Sequence, residues 1–153
     1  MLISEYLDVN DIEIGYQAED YRDAIREAGK ILVNKGAADE SYVDAMIETC
    51  DELEAYIVLV PGVAIPHASP DKGAKKVGLS LVQLKTPVNF NHPENDPVKL
   101  VIGLASPDNS SHLKALQLLS NILMNNEMIE QISLETSREK IFELLQNGVE
   151  VNK

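Results

Sequence analysis

The run Leu100-Val101-Ile102-Gly103-Leu104-Ala105 carries no polar side chain at all. A strand with one wet face alternates between core and solvent, so an unbroken apolar run fits a strand covered on both faces. The rest of the chain must supply two covers, and its patterns offer helices. Ala24, Ile25, Ala28, Ile31 and Leu32 recur at helical spacing, with Gly36 placed to stop that helix. Asp39 can cap a second helix with Tyr42, Val43, Met46, Ile47, Cys50 and Leu53 along one face. Asp108-Asn109-Ser110-Ser111 starts a third, with Leu113, Leu116, Leu119, Ile122 and Leu123 on one side. Thr136 and Glu139 fit a capping box for a last helix through Ile141, Leu144 and Leu145, ended by Gly148.

Shorter β-prone pieces fill the gaps. Ile12 and Ile14 alternate near the start, and residues 56–60 form an apolar run ended by Pro61-Gly62. Residues 63–65 make a second short piece leading into Pro66-His67, and residues 77–84 read as a strand closed by Thr86-Pro87. Helices and strands mix throughout, which gives an α/β or α+β class with one sheet covered by helices. At 153 residues, with no repeat, low-complexity tract or linker, the chain is expected to form one domain over residues 1–153.

Charge narrows the partners. Twenty-five acidic residues against 13 basic ones give a formal charge of -12, a surface that repels nucleic acid and anionic lipid. No apolar run approaches bilayer length and no secretory pattern opens the chain, so a cytoplasmic protein without membrane insertion is expected. The single cysteine, Cys50, cannot form an internal disulfide and shares an apolar helix face with Met46 and Leu53, as a packed thiol would.

Two of the three histidines sit where chemistry is plausible. His67 follows Val63-Ala64-Ile65-Pro66; proline fixes its own φ and biases Ile65 towards an extended shape, so the backbone into His67 is stiff. Ala68 and Ser69 beyond it are small and leave the imidazole approachable. A neutral imidazole near pH 7 can act as a nucleophile and form an adduct that later leaves. His112 falls in the first turn of the helix after Asp108, where free backbone N–H groups favour an anion and disfavour imidazolium. Lys72, Lys75 and Lys76 form a small basic patch that could soften the negative field. The bland alternatives are a structural His67, a helix-start His112 of no special role, a solvated His92 in a loop, and lysines that are ordinary surface. The histidines lie at least 20 residues apart, unlike compact ligand spacing, so no metal or other cofactor is expected.

Taken together, Pro61-Gly62-Val63-Ala64-Ile65-Pro66-His67-Ala68 resembles the active-site signature of the mannitol–fructose superfamily of phosphotransferase-system IIA components, whose core is matched from Val63 to Ala68. Pro87-Val88-Asn89-Phe90-Asn91-His92 with Asp96-Pro97-Val98, and Val101-Ile102-Gly103-Leu104-Ala105 with the His112 helix, agree in order and spacing. The details look closest to the ascorbate-type branch. The resemblance implies an α/β fold, a mixed sheet flanked by helices. It implies that His67 accepts a phosphoryl group from the carrier protein HPr and gives it to a IIB component, which serves a membrane IIC component importing a sugar or sugar acid. His112 would be the second histidine that steadies phosphate. Two departures stand out: Val60 replaces an expected small residue, and Thr49 falls where the mannitol and fructose branches carry a phosphate-holding arginine. Without that guanidinium fork, stabilisation passes to His112, to the N–H groups near Ser110 and Ser111, to Ser69, or to Lys72.

An apolar rim of Val63, Ile65 and Pro66 is expected to meet both carriers in turn. A homodimer is left open. The rival readings are a IIA-like regulatory protein that reports phosphorylation state by binding, and a silent binding protein in which His67 is only a packed loop residue. A histidine-metal hydrolase is disfavoured by the spacing.

Overall fold

A computed structural model describes residues 3–52, 57–92 and 94–151. Leu53, expected on the second helix, and Tyr56, expected at the head of a strand, lie outside the described residues. Five strands, β1 (Ile12–Tyr16), β2 (Val58–Val60), β3 (Val63–Ala64), β4 (Gly78–Val88) and β5 (Val98–Ala105), form one sheet in the order β1-β4-β5-β3-β2. The β1–β4 and β3–β5 pairs are parallel, and β4–β5 and β2–β3 antiparallel, so the sheet is mixed. Helices α1 (Tyr21–Asn34), α2 (Glu40–Glu52), α3 (Asn109–Leu123), α4 (Asn126–Leu134) and α5 (Arg138–Val151) cover it. Residues of α1 and α2 pack into one apolar cluster, and residues of α3, α4 and α5 into another. The two clusters share β5 by turns: Val98, Val101 and Ala105 belong to the first, Leu100, Ile102 and Leu104 to the second. That alternation is the double covering its apolar run demanded.

Local signals account for most boundaries. Asp20 caps α1 by accepting the Asp23 N–H at 2.9 Å, and Gly36, at φ 77°, lets the chain turn away. Gly29 has no Cβ, and one placed there would lie 2.7 Å from the Val43 side chain. That close approach seats α2 directly on α1 and fixes where α2 presents Tyr42.

Several expectations need correction. Thr86-Pro87 does not close β4; the strand continues to Val88, and a register shift between Gln83 and Val88 takes up the proline's missing donor. Leu113 is 57% exposed, while Ala115, Leu118, Leu119, Ile122 and Leu123 form the buried face of α3. Residues two positions apart on a helix point about 200° from each other, so a face holding Ala115 turns Leu113 outwards. The first turn of α5 is capped one residue later than expected: Ser137 Oγ accepts the Lys140 N–H at 3.4 Å. The helix also runs through Gly148 to Val151. Asp39 spends its carboxylate on Lys75 Nζ at 3.0 Å. The pattern reading overlooked α4, whose cap Asn125 accepts the Met128 N–H at 3.0 Å. Among the described residues, no helix is long and apolar enough to cross a membrane.

Candidate active site

The β3 strand lies between β5 and β2, and its residues Val63 and Ala64, with Ile65 and Pro66 beyond, are buried. His67 is the first half-exposed position after them. The expected apolar rim of Val63, Ile65 and Pro66 is therefore absent, because a strand inside a doubly covered sheet has no free face. Pro66 is a buried brace for His67 and no part of a partner surface.

The ring of His67 is held by its own backbone. Nδ1 lies 2.8 Å from the Ile65 carbonyl oxygen. A carbonyl only accepts, so in the neutral ring Nδ1 carries the hydrogen and Nε2 keeps the lone pair. The backbone is fixed in turn: Ile65 N–H donates to Ile57 O at 2.8 Å, and Leu104 N–H donates to Pro66 O at 3.1 Å.

His112, in the first turns of α3, brings its ring centroid to 5.0 Å from that of His67, at an interplanar angle of 54°. Burial, and then the neighbouring His67, hold the His112 imidazole below its ordinary value, so it is neutral near pH 7. Two half-exposed imidazoles thus share one small surface.

The N-terminus of α3 differs from expectation. Asp108 Oδ1 accepts the Ser111 N–H at 2.8 Å and the Ser111 hydroxyl at 3.0 Å, and these bonds hold its carboxyl below the usual range. The Ser111 hydroxyl also lies 2.8 Å from Ser106 Oγ, a buried group that donates to Asp108 O at 2.7 Å. This terminus already carries an anion. Ser111 is committed to it, and the Ser110 N–H helps hold the same carboxylate. The residue that signals the helix start also occupies the donors that start provides.

Ser69 is exposed and makes no capping bond to the short 3-10 turn Pro70–Lys72 that follows it. Lys72 is exposed, and among the described residues its ammonium forms no ion pair. Thr49 donates its hydroxyl to Ala45 O at 2.8 Å, inside its own helix, so it supplies nothing in place of the missing guanidinium. His92 is not simply solvated: its Nδ1 accepts the N–H groups of Glu94 at 3.1 Å and Asn95 at 2.9 Å. Among the described residues, no group of three or more His, Cys, Asp or Glu is placed to hold a metal ion.

Residues 5–148 match the family model described as phosphoenolpyruvate-dependent sugar phosphotransferase system, EIIA 2. The chain belongs to that family. As an EIIA 2 protein it is a phosphotransferase component of a sugar-transport system. It is 36% identical to the mannitol-specific cryptic phosphotransferase enzyme IIA component of Escherichia coli, over 97% of this chain and 100% of that protein. The ascorbate-specific EIIA component of Shigella dysenteriae is 30% identical, over 95% and 96%. Among solved structures, the Escherichia coli enzyme IIAMTL in complex with phosphorylated enzyme IIBMTL has a TM-score of 0.83 at 31% identity, covering 92% of this chain and 97% of that one. Relatives of both the mannitol and the ascorbate kind therefore stand beside this EIIA 2 chain, and identity is higher with the mannitol-specific one.

The residue that sequence reasoning missed is Tyr42. It is fully buried on α2, and its hydroxyl bonds both Ala68 and Leu104. A tyrosine on an apolar helix face is the available signal, since its hydroxyl needs a partner inside the core.

Proposed function

We propose that His67 is the phosphorylated residue of this EIIA 2 protein, receiving phosphate from phospho-HPr at Nε2 and passing it to a IIB component. The observation that carries the reading is the Nδ1 contact with Ile65 O, which leaves Nε2 with its lone pair on a half-exposed ring. In the forward step the N–P bond of the donor phosphohistidine breaks as the Nε2–P bond forms, and the donor imidazole leaves with the electron pair. In the second step a nucleophile on IIB, a thiolate in the nearest branches, attacks the same phosphorus and the His67 ring leaves neutral. Both steps need in-line approach and charge stabilisation more than covalent help from the protein. The donor is already an activated phosphohistidine, so the steps call for no metal.

His112 gains a proton as the phosphoryl charge arrives and then pairs with it. The Ser69 hydroxyl and the Lys72 ammonium, two and five residues after His67, are the other candidates for phosphate contact. His67 and His112 come from one chain, so no step calls for a homodimer. The complex formed by the related IIAMTL supports IIB as the receiving partner. We place the single domain in the cytoplasm, where HPr can reach it, working for a membrane component that imports a sugar or sugar acid.

The test is incubation with phospho-HPr and measurement of intact mass. A gain of one phosphate that disappears in His67→Ala is expected, and labelling that persists in that variant overturns the assignment.

A further inference from the structure

The pairing of β3 with β5 sets Val63 against Leu100 and Ala64 against Val101. Carried forward one residue at a time, that register places His67 opposite Leu104. A parallel ladder then requires two rungs around the pair: Leu104 N–H to Pro66 O, and Ala68 N–H to Leu104 O. The first is present at 3.1 Å. The second is replaced. Ala68 N–H donates to the Tyr42 hydroxyl oxygen at 3.1 Å, and that hydroxyl donates to Leu104 O at 2.9 Å, with Ala68 O a further 3.2 Å neighbour. One oxygen atom from α2 stands where the direct bond would be, and the two strands part at the residue whose ring must reach solvent.

We infer that Tyr42 is a positioning residue for His67: its hydroxyl wedges β3 from β5 and holds the imidazole at the fork, where Nε2 can meet phosphorus. The inference rests on the assignment of His67 as the phosphorylated residue. Burial pushes the Tyr42 phenol above its ordinary value, so it remains a donor throughout the working pH range. Without the wedge, Ala68 N–H has a ready partner in Leu104 O. Closing that rung draws the peptide after His67 into the sheet and turns the ring with it.

Tyr42→Phe keeps the buried ring and removes the wedge. The variant is expected to take phosphate from phospho-HPr with kcat lowered on the order of 100-fold, the cost of about 1 Å of misplacement. The KM for phospho-HPr should be unchanged, because Tyr42 is sealed from the docking surface. The His67 ring 15N signals should move, which a simple loss of folded protein would not produce. A wild-type rate with unmoved ring signals overturns the positioning role and leaves His67 as the phosphorylated residue. Absence of phosphate on wild-type His67 overturns both. Should Tyr42→Phe fail to fold, the wild-type chain still decides: its Tyr42 hydroxyl proton should be visible in slow exchange, with a cross-peak to the Ala68 amide. A rapidly exchanging hydroxyl without that cross-peak overturns the wedge.

Discussion

His67 and His92 serve the two ends of β3. The loop after His92 clasps the start of the strand, where Asn95 O accepts the Gly62 N–H at 3.0 Å, and His67 follows its end. Each imidazole meets nearby backbone through Nδ1, but with opposite polarity. Beside His67 the backbone offers a carbonyl, so Nδ1 is the donor and Nε2 is bare. Beside His92 it offers two N–H groups, so Nδ1 is the acceptor and Nε2 must carry the hydrogen. Main-chain direction over two or three residues selects which nitrogen is a nucleophile. The same side chain is thereby a reactive group at one end of the strand and a turn fastener at the other.

Substitution separates the two roles most sharply. His67→Ala should abolish phosphate uptake, whereas His92→Ala should be labelled by phospho-HPr at the wild-type rate, both read by intact mass over time. Loss of labelling in His92→Ala breaks the contrast. In 15N spectra that resolve ring tautomers, neutral His67 should be the Nδ1–H form and neutral His92 the Nε2–H form; matching tautomers would sink the argument directly.

The fastening role predicts a stability cost with no cost in chemistry. Asp96 accepts the N–H groups of Phe90 and His92, each at 2.9 Å. Asp96→Ala strands both donors and should lower unfolding stability by about 2 kcal/mol, and His92→Ala by about 1 kcal/mol, measured in urea. Neither should change the amount of phosphate taken up by the folded chain.

His112 extends the contrast to a ring whose state changes during the cycle. It is held neutral by burial, and secondly by His67, and a phosphoryl group on His67 would set negative charge beside it, which favours the protonated ring. Its titration, followed by NMR, should move upward on phosphorylation. An unmoved curve would remove His112 from phosphate stabilisation.

These distinctions were only partly legible in the chain itself. The apolar run of β5 and the spacing of Ala24, Ile25, Ala28 and Leu32 identify a covered strand and a covering helix, because each pattern is one element long. Pro66-His67 marks a stiff entry for the same reason. Pro87 misleads, since a proline is read as a stop and only the register of β4 against β5 shows the irregularity that accommodates it. Ser111 misleads as well: the pattern that places a helix start says nothing of whether Asp108 has already taken its donors. Tyr42 is the hardest case. Its hydroxyl meets residues 26 and 62 positions away, and no local pattern records such a bond.

Carboxyl groups obey the same rule in a weaker form, and they give the smallest predicted effect. Asp108, gripped by the Ser111 N–H, is held below the usual carboxylate range. Glu13 on β1 is half-buried, and that burial, then the facing Glu27 carboxyl, raises it from 4.5 to about 7, against a lowering influence from Lys30. A carboxyl raised by folding binds its proton more tightly folded than unfolded. Its contribution to stability is therefore fully present below about pH 4.5 and is lost as pH rises through about 7. Much of the group remains in water, so solvent screening cuts the effect to about 1 kcal/mol or less. Glu13→Gln keeps the shape and cannot ionise, so urea unfolding at pH 8 should show it more stable than wild type by up to about that amount. At pH 4 the two should coincide. An equal loss of stability between pH 5 and 8 in both proteins would mean that Glu13 is ionised throughout, and that strand β1 holds its carboxyl no differently from open solvent.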